Sequence, residues 1–208
     1  MMGPAEWFST VEGSQPLRSA GRALPFAYLE IRDPEDSTRV LELGEEGEIA
    51  VHCDGQMMGF WENEAATAER MTSDGFVLTG DIGKIDANGY LYVLDRKDDM
   101  IISGGVNIYP AEIEGVIAAH PAVEDVAVIG VPDEEFGESV KALVQVTEGT
   151  TASPEVAQAI ITHCRELLAG YKAPRSVDFV QHIPRTGTGK IQKQPLRAPY
   201  WEGHQRRI

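Results

Sequence analysis

Cysteine is scarce in this chain. Its 208 residues hold two, Cys53 and Cys164, far apart and without Cys-x-x-Cys spacing. That offers no disulfide framework and suits a reducing cytoplasm, with both sulfurs as small apolar fillers. Positive charge is scarce too. Lys and Arg number 18 against 33 Asp and Glu, a formal net charge of −15. So negative a chain is not a nucleic-acid binder or a polybasic membrane binder, although local basic sites for phosphate stay open. No apolar run approaches the roughly 18–20 residues needed to span a bilayer. Met1 to Gly13 lacks the basic-then-apolar order of a secretory signal. The five histidines show no metal-ligand spacing, and there is no Gly-x-Ser-x-Gly nucleophile elbow, internal repeat or low-complexity tract.

What is present is an ordinary globular composition, 42% hydrophobic and 25% charged, long enough for one large domain or two small ones. Residues 1–23 read as irregular lead-in. From Leu24 short strands follow: alternation over Phe26–Ile31 ended by Asp33-Pro34, then Gly47–Cys53, Phe76–Thr79 and Tyr90–Leu94. Asn63 is a good N-cap for the Ala-rich helix Glu64–Arg70. This first half, 24–95, predicts a small antiparallel barrel or sandwich, with Trp61 in its core. The run Asp95-Arg96-Lys97-Asp98-Asp99 then puts five charges in a row. It cannot be buried unpaired and reads as an exposed connector and a domain boundary.

The second half, 96–208, has a different pattern. A strand Met100–Ile102 leads to Ser103-Gly104-Gly105. Pro110 suits the first turn of a helix carrying Ile113, Val116 and Ile117 on one face and stopped by Pro121. Val126–Val131 and Val140–Val146 read as buried strands. Ser153-Pro154 opens a helix striped by Val156, Ile160, Cys164 and Leu167, and Val177–Val180 is a last strand. The fold class is therefore α+β, with helices on an antiparallel or mixed sheet.

Four segments could carry chemistry. Pro184-Arg185-Thr186-Gly187-Thr188-Gly189-Lys190 offers tight turns, hydroxyls and an ammonium to an anion. It is not a Walker loop, since Pro184 and Ile191 stand where that motif needs Gly and Ser or Thr. Read alone, it is more simply a surface hairpin with a solvated Lys. Asp81, after Thr79-Gly80, could accept from two neighbouring hydroxyls, or serve a turn. Arg96 could grip a phosphate or ribose, or be a solvated charge. Gly104-Gly105 could admit a thin ligand, or form a bend.

The order of these pieces is more specific than any one. Gly47-Glu48-Ile49, Gly59-Phe60-Trp61, Thr79-Gly80-Asp81, Gly89-Tyr90-Leu91-Tyr92, Asp95-Arg96-Lys97-Asp98, Ser103-Gly104-Gly105-Val106-Asn107-Ile108-Tyr109-Pro110 and Pro184–Ile191 follow one another along the chain. In that order they resemble the carboxyl-terminal part of the adenylate-forming superfamily, and within it the acyl-CoA synthetases. The resemblance covers nearly everything from Gly21 on. It departs at Phe76-Val77-Leu78, where the family often has a second aromatic and a basic residue. The family's Thr/Ser/Gly-rich phosphate loop, adenine pocket and acyl pocket have no counterpart in the sequence.

The resemblance implies a two-step reaction. A fatty or aryl carboxylic acid is activated by ATP with Mg²⁺ to acyl-AMP, and the acyl group then passes to CoA. A carboxyl-terminal domain, 96–208, swings between the steps about a hinge at 95–99. By the same resemblance, Asp81 holds the ribose hydroxyls and Arg96 contacts the nucleotide. Asp98 is the pivot, Lys190 touches the carboxylate and α-phosphate during adenylation, and Ser103, Gly104 and Gly105 line the pantetheine channel. The chain is expected to be a cytoplasmic carboxyl-terminal fragment, inactive by itself for want of the phosphate loop. Two other readings stand beside it: an adenylation enzyme that loads a carrier protein, and a non-catalytic module binding a nucleotide or partner.

Overall fold

A computed structural model describes residues 10–204. Most of Met1–Gly13, read above for a leader, and the last four residues lie outside the described ones. The chain forms two compact units that part between Lys97 and Asp98.

The first unit is built on four strands, β1 (Ala27–Arg32), β2 (Gly47–Cys53), β3 (Val77–Ile85) and β4 (Leu91–Arg96), with helix α1 (Glu64–Arg70) between β2 and β3. They pair antiparallel in chain order, β1-β2-β3-β4. One sheet face gathers Ile31, Ile49 and Leu91, with Leu29, Leu41, Val51 and Ile85 packed against them. The side-chain oxygen of Asn63 accepts from the Ala66 N–H, capping α1 as its sequence demands. At the β3–β4 turn the Asp86 carboxylate accepts from the Asn88 and Tyr90 N–H groups, from Ser14 and from the Tyr92 hydroxyl. Burial works against that charge, but these hydrogen bonds outweigh it and hold Asp86 below the usual carboxylate range.

Three expectations change in this unit. The sheet is an open meander: among the described residues β1 and β4 do not pair, so these four strands do not close a barrel. Trp61 is 89% exposed rather than in the core, because the loop Asp54–Asn63 lies outside the sheet. The charged run is only in part a connector. Asp95 and Arg96 complete β4, and a 3₁₀ turn takes up Lys97–Asp99.

The second unit runs β5 (Ile101–Ser103), β6 (Val106–Ile108), α2 (Pro110–Ala118), β7 (Val123–Asp133), β8 (Gly137–Val146), α3 (Pro154–Leu167), β9 (Ser176–Phe179) and α4 (Lys193–Arg197). Its sheet has the order β6-β5-β8-β7, and β9 joins β8 in parallel, so the sheet is mixed. The central strands alternate between two buried faces. Val126, Val128, Val140, Ala142 and Val144 meet Ile113 and Ile117 of α2 and Ile160 and Cys164 of α3. Ala127, Ile129, Val131 and Leu143 meet Ile183, with Leu196 of α4 and Tyr200 packed against them. A sheet covered on both faces explains the near-continuous apolar runs of β7 and β8. On α3 the buried stripe differs by one position from the expected one. Leu167 is 61% exposed, and Leu168 packs into the core instead. No helix among the described residues is long and apolar enough to cross a membrane.

Candidate functional site

Asp81 lies within β3 rather than after it, directly opposite Arg96 of β4. The Arg96 Nε stands 3.0 Å from the Asp81 carboxylate, with both side chains reachable from solvent. Gly80 makes this local shape. Its φ is +75°, and a Cβ there would come within 2.4 Å of the Arg70 guanidinium. Glycine takes that angle without strain, and the mobile end of the Arg70 side chain fills the space where a Cβ would stand. The Gly80 N–H donates to Glu48 Oε1 at 3.2 Å. The carboxylate of Glu48, 3% exposed, also receives the Lys97 ammonium at 2.7 Å and stands 3.8 Å from Arg70. A buried carboxylate ringed by two cations and an N–H is the arrangement burial of that charge requires. Asp81 and Arg96 together offer hydroxyl-accepting oxygens beside a fork-shaped cation, which suits a sugar carrying a phosphate.

In the second unit, Lys190 ends a hairpin-like loop. Thr186 N–H donates to the Lys190 carbonyl at 2.8 Å, Gly189 N–H to the Thr186 carbonyl at 2.9 Å, and Lys190 N–H to Thr186 Oγ at 3.1 Å. Arg185 holds the loop from below, bidentate on Asp125 at 2.7 and 2.8 Å and bonded to the Gly189 carbonyl at 2.9 Å. The Lys190 side chain is exposed, and no carboxylate among the described residues pairs with it. A cation on an ordered turn, left without a counter-charge, is free for an anion.

Ser103, Gly104 and Gly105 form the β5–β6 turn. Ser103 pairs with Val106, and the two glycines between them have φ of +59° and +80°. Two successive positive φ values make a two-residue primed turn, which glycine pairs favour. Gly104 N–H donates to the Phe136 carbonyl at 2.8 Å. Beside Gly105 opens a cleft of about 920 Å³ that includes Phe136, Tyr200 and Trp201. Burial, then the neighbouring Asp178 carboxylate, push the Tyr200 hydroxyl up to about 12. Sequence reasoning missed β6, α4 and this cleft wall. Asn107 and Ile108 continue past the glycines in strand spacing, the one signal that a hairpin was there. Asp98 is exposed on the 3₁₀ turn, and its carbonyl accepts from the Arg197 guanidinium at 2.9 Å.

The structure thus joins Asp81 with Arg96, and Ser103 with Gly104 and Gly105. No hydrogen bond or ion pair among the described residues links the Lys190 loop to the 103–105 turn.

Residues 112–190 match the family described as AMP-binding enzyme C-terminal domain. Over 182 residues the chain is 45% identical to the long-chain-fatty-acid–CoA ligase FadD13 of Mycobacterium tuberculosis, covering 88% of this chain and 35% of that one. The chain belongs to the adenylate-forming, AMP-binding superfamily. The chain is also 42% identical to a feruloyl-CoA synthase of an Amycolatopsis species, over 90% of its own length and 37% of the relative's. Among solved structures it resembles ATP-bound MatB of Rhodopseudomonas palustris. That match has a TM-score of 0.80 at 38% identity and covers 90% of this chain and 37% of the other. The chain therefore spans about a third of the length of the relatives it matches.

Proposed function

We propose that this chain supplies the carboxyl-terminal part of an AMP-forming acid–CoA ligase acting on a fatty or aryl acid. In the first step a carboxylate oxygen attacks the α-phosphorus of ATP, and pyrophosphate leaves. In the second the CoA thiol attacks the acyl carbonyl, and AMP leaves. Asp81 accepts the ribose hydroxyls, Arg96 meets the nucleotide, and Ser103, Gly104 and Gly105 line the pantetheine path. Residues 98–208 turn about Asp98 between the steps. Mg²⁺ enters bound to the phosphates of ATP. A cytoplasmic location fits the two free thiols, Cys53 and Cys164.

The observation that carries this reading is Lys190, an exposed and uncompensated ammonium on an ordered, glycine-turned loop. Adenylation presses a carboxylate against a phosphate, and a cation between two anions lowers that barrier by about 10²–10³ in rate. Thioester formation has no such pair. The experiment joins residues 10–208 behind the upstream part of the FadD13 ligase. Lys190→Ala should abolish adenylate formation yet spare thioester synthesis from supplied acyl-AMP and CoA. Equal slowing of both halves would make Lys190 a general structural residue. The fatty or aryl acid class is supported by the two ligases named above.

A further inference from the structure

We propose that Glu48 and Arg197 are positioning residues that clamp the chain on either side of the Lys97–Asp98 junction, confining the turn between the units to that single peptide link. This inference rests on the domain rotation proposed above.

On the upstream side the clamp is buried. The Lys97 ammonium donates to Glu48 Oε2 at 2.7 Å and to the Pro34 carbonyl at 2.7 Å, so the last residue of the first unit is held twice through its side chain. Glu48 is tied in turn through Oε1 to the Gly80 N–H, next to Asp81. One buried carboxylate thus registers the end of the first unit with the strand that carries Asp81. A residue so held cannot take part in a large rotation without leaving the Glu48 carboxylate buried and short of a cation, which is costly.

On the downstream side the second unit holds its own first residues. Arg197 donates to the Asp98 carbonyl at 2.9 Å and stands 3.9 Å from the Asp99 carboxylate. Arg197 ends α4, which begins three residues after Lys190. The same short helix is pinned at its other end, where buried Lys193 meets Glu114 of α2 at 2.9 Å. The start of the second unit, α4 and the exit of the Lys190 loop are therefore one mechanical piece. Between the two clamps lies one peptide bond with its flanking ψ of Lys97 and φ of Asp98. That link lies inside the single 3₁₀ turn Lys97–Asp99, and upstream of it Arg96 is held in β4 against Asp81.

The test uses the 208-residue chain and hydrogen exchange resolved to single amides. Glu48→Gln keeps the shape and removes the charge. Lys97→Met removes the partner at a half-exposed position, with the Gly80 N–H still bonded to Glu48 and Arg70 still near it, so it serves as the second variant if Glu48→Gln fails to fold. Both should speed exchange at residues 97–99 about tenfold, as expected for one charge-assisted hydrogen bond lost, with the amides of β7 and β8 unchanged. Arg197→Gln should do the same at 98 and 99. Lys97→Arg and Arg197→Lys should restore protection. Spin labels at Ser73→Cys and Glu124→Cys, one in each unit and with Cys53→Ser to keep the native thiol unlabelled, should report a broader distance distribution in the clamp variants than in the parent. Parent-like exchange at 97–99 in Lys97→Met and Arg197→Gln would overturn the clamp. So would faster exchange with an unchanged distance distribution. Neither result touches the Lys190 half-reaction assay, which tests the parent reading separately.

Discussion

At the scale of single residues, environment decides what a side chain can do. Cys164 is wholly buried between helix and sheet, and that burial pushes its thiol up to about 11. At pH 8 only about one molecule in a thousand carries the reactive thiolate. A thiol reagent should therefore label Cys53 promptly and Cys164 only after denaturant is added; two equivalents reacting with the folded chain would contradict this burial. His120 is a second case. Its ring lies 5.4 Å from that of His163, and burial together with the second ring lowers its pKa below the usual 6.5. The unfolded chain thus takes up a proton at a higher pH than the folded one. Stability is full above about pH 6.5 and falls as pH drops through the lowered value. Melting temperatures measured between pH 7 and pH 5 should decline, and His120→Gln should flatten that part of the curve. A decline of the same size in the variant would assign it to carboxylates instead.

At the scale of elements, local chemistry was well read from sequence. Asn63, Pro110 and Ser153 open the three longer helices where their types require, since a cap acts on amides two or three residues away. The β5–β6 hairpin is not legible in the sequence, although its two glycines are. A two-residue turn is recognisable only if both flanking strands are, and β6 has three residues with two of them exposed. The turn makes its own prediction. Gly104→Ala forces a side chain into φ +59° with its Cβ 3.2 Å from the Phe136 ring. The loss should be about 1–2 kcal/mol in urea unfolding, whereas Gly105→Ala, with nothing within 4 Å, should lose only the conformational part. Equal losses would show that the Phe136 contact is immaterial.

At the scale of the whole molecule, the second unit has two apolar clusters of its own, one on each face of its sheet. Residues 98–208 made alone should fold cooperatively and keep the circular dichroism of mixed helix and strand; a chain without a cooperative transition would show that the first unit is needed. The proposed function makes a complementary prediction. The 208 residues contain Asp81 and Lys190 but no Thr/Ser/Gly-rich phosphate loop. Purified alone, they should give no acid-dependent pyrophosphate exchange across a panel of carboxylic acids, and turnover would sink the assignment of roles.

By itself the sequence determined the α+β class, the places of most elements though not the full extents of β3, β7 and β8, and the order of motifs that marks the superfamily, because turns, caps and periodicity act over a few residues. Tertiary structure decided the rest. It left β1 and β4 unpaired, put Leu168 rather than Leu167 in the core, left Trp61 outside, and set α4 against the second face of the sheet. It also turned a run of five charges into a clamped junction, through Glu48, 49 residues before Lys97, and Arg197, 99 residues after Asp98. Such partners lie far apart along the chain, and charge pairing carries no periodicity, so no local pattern names which carboxylate will hold which cation.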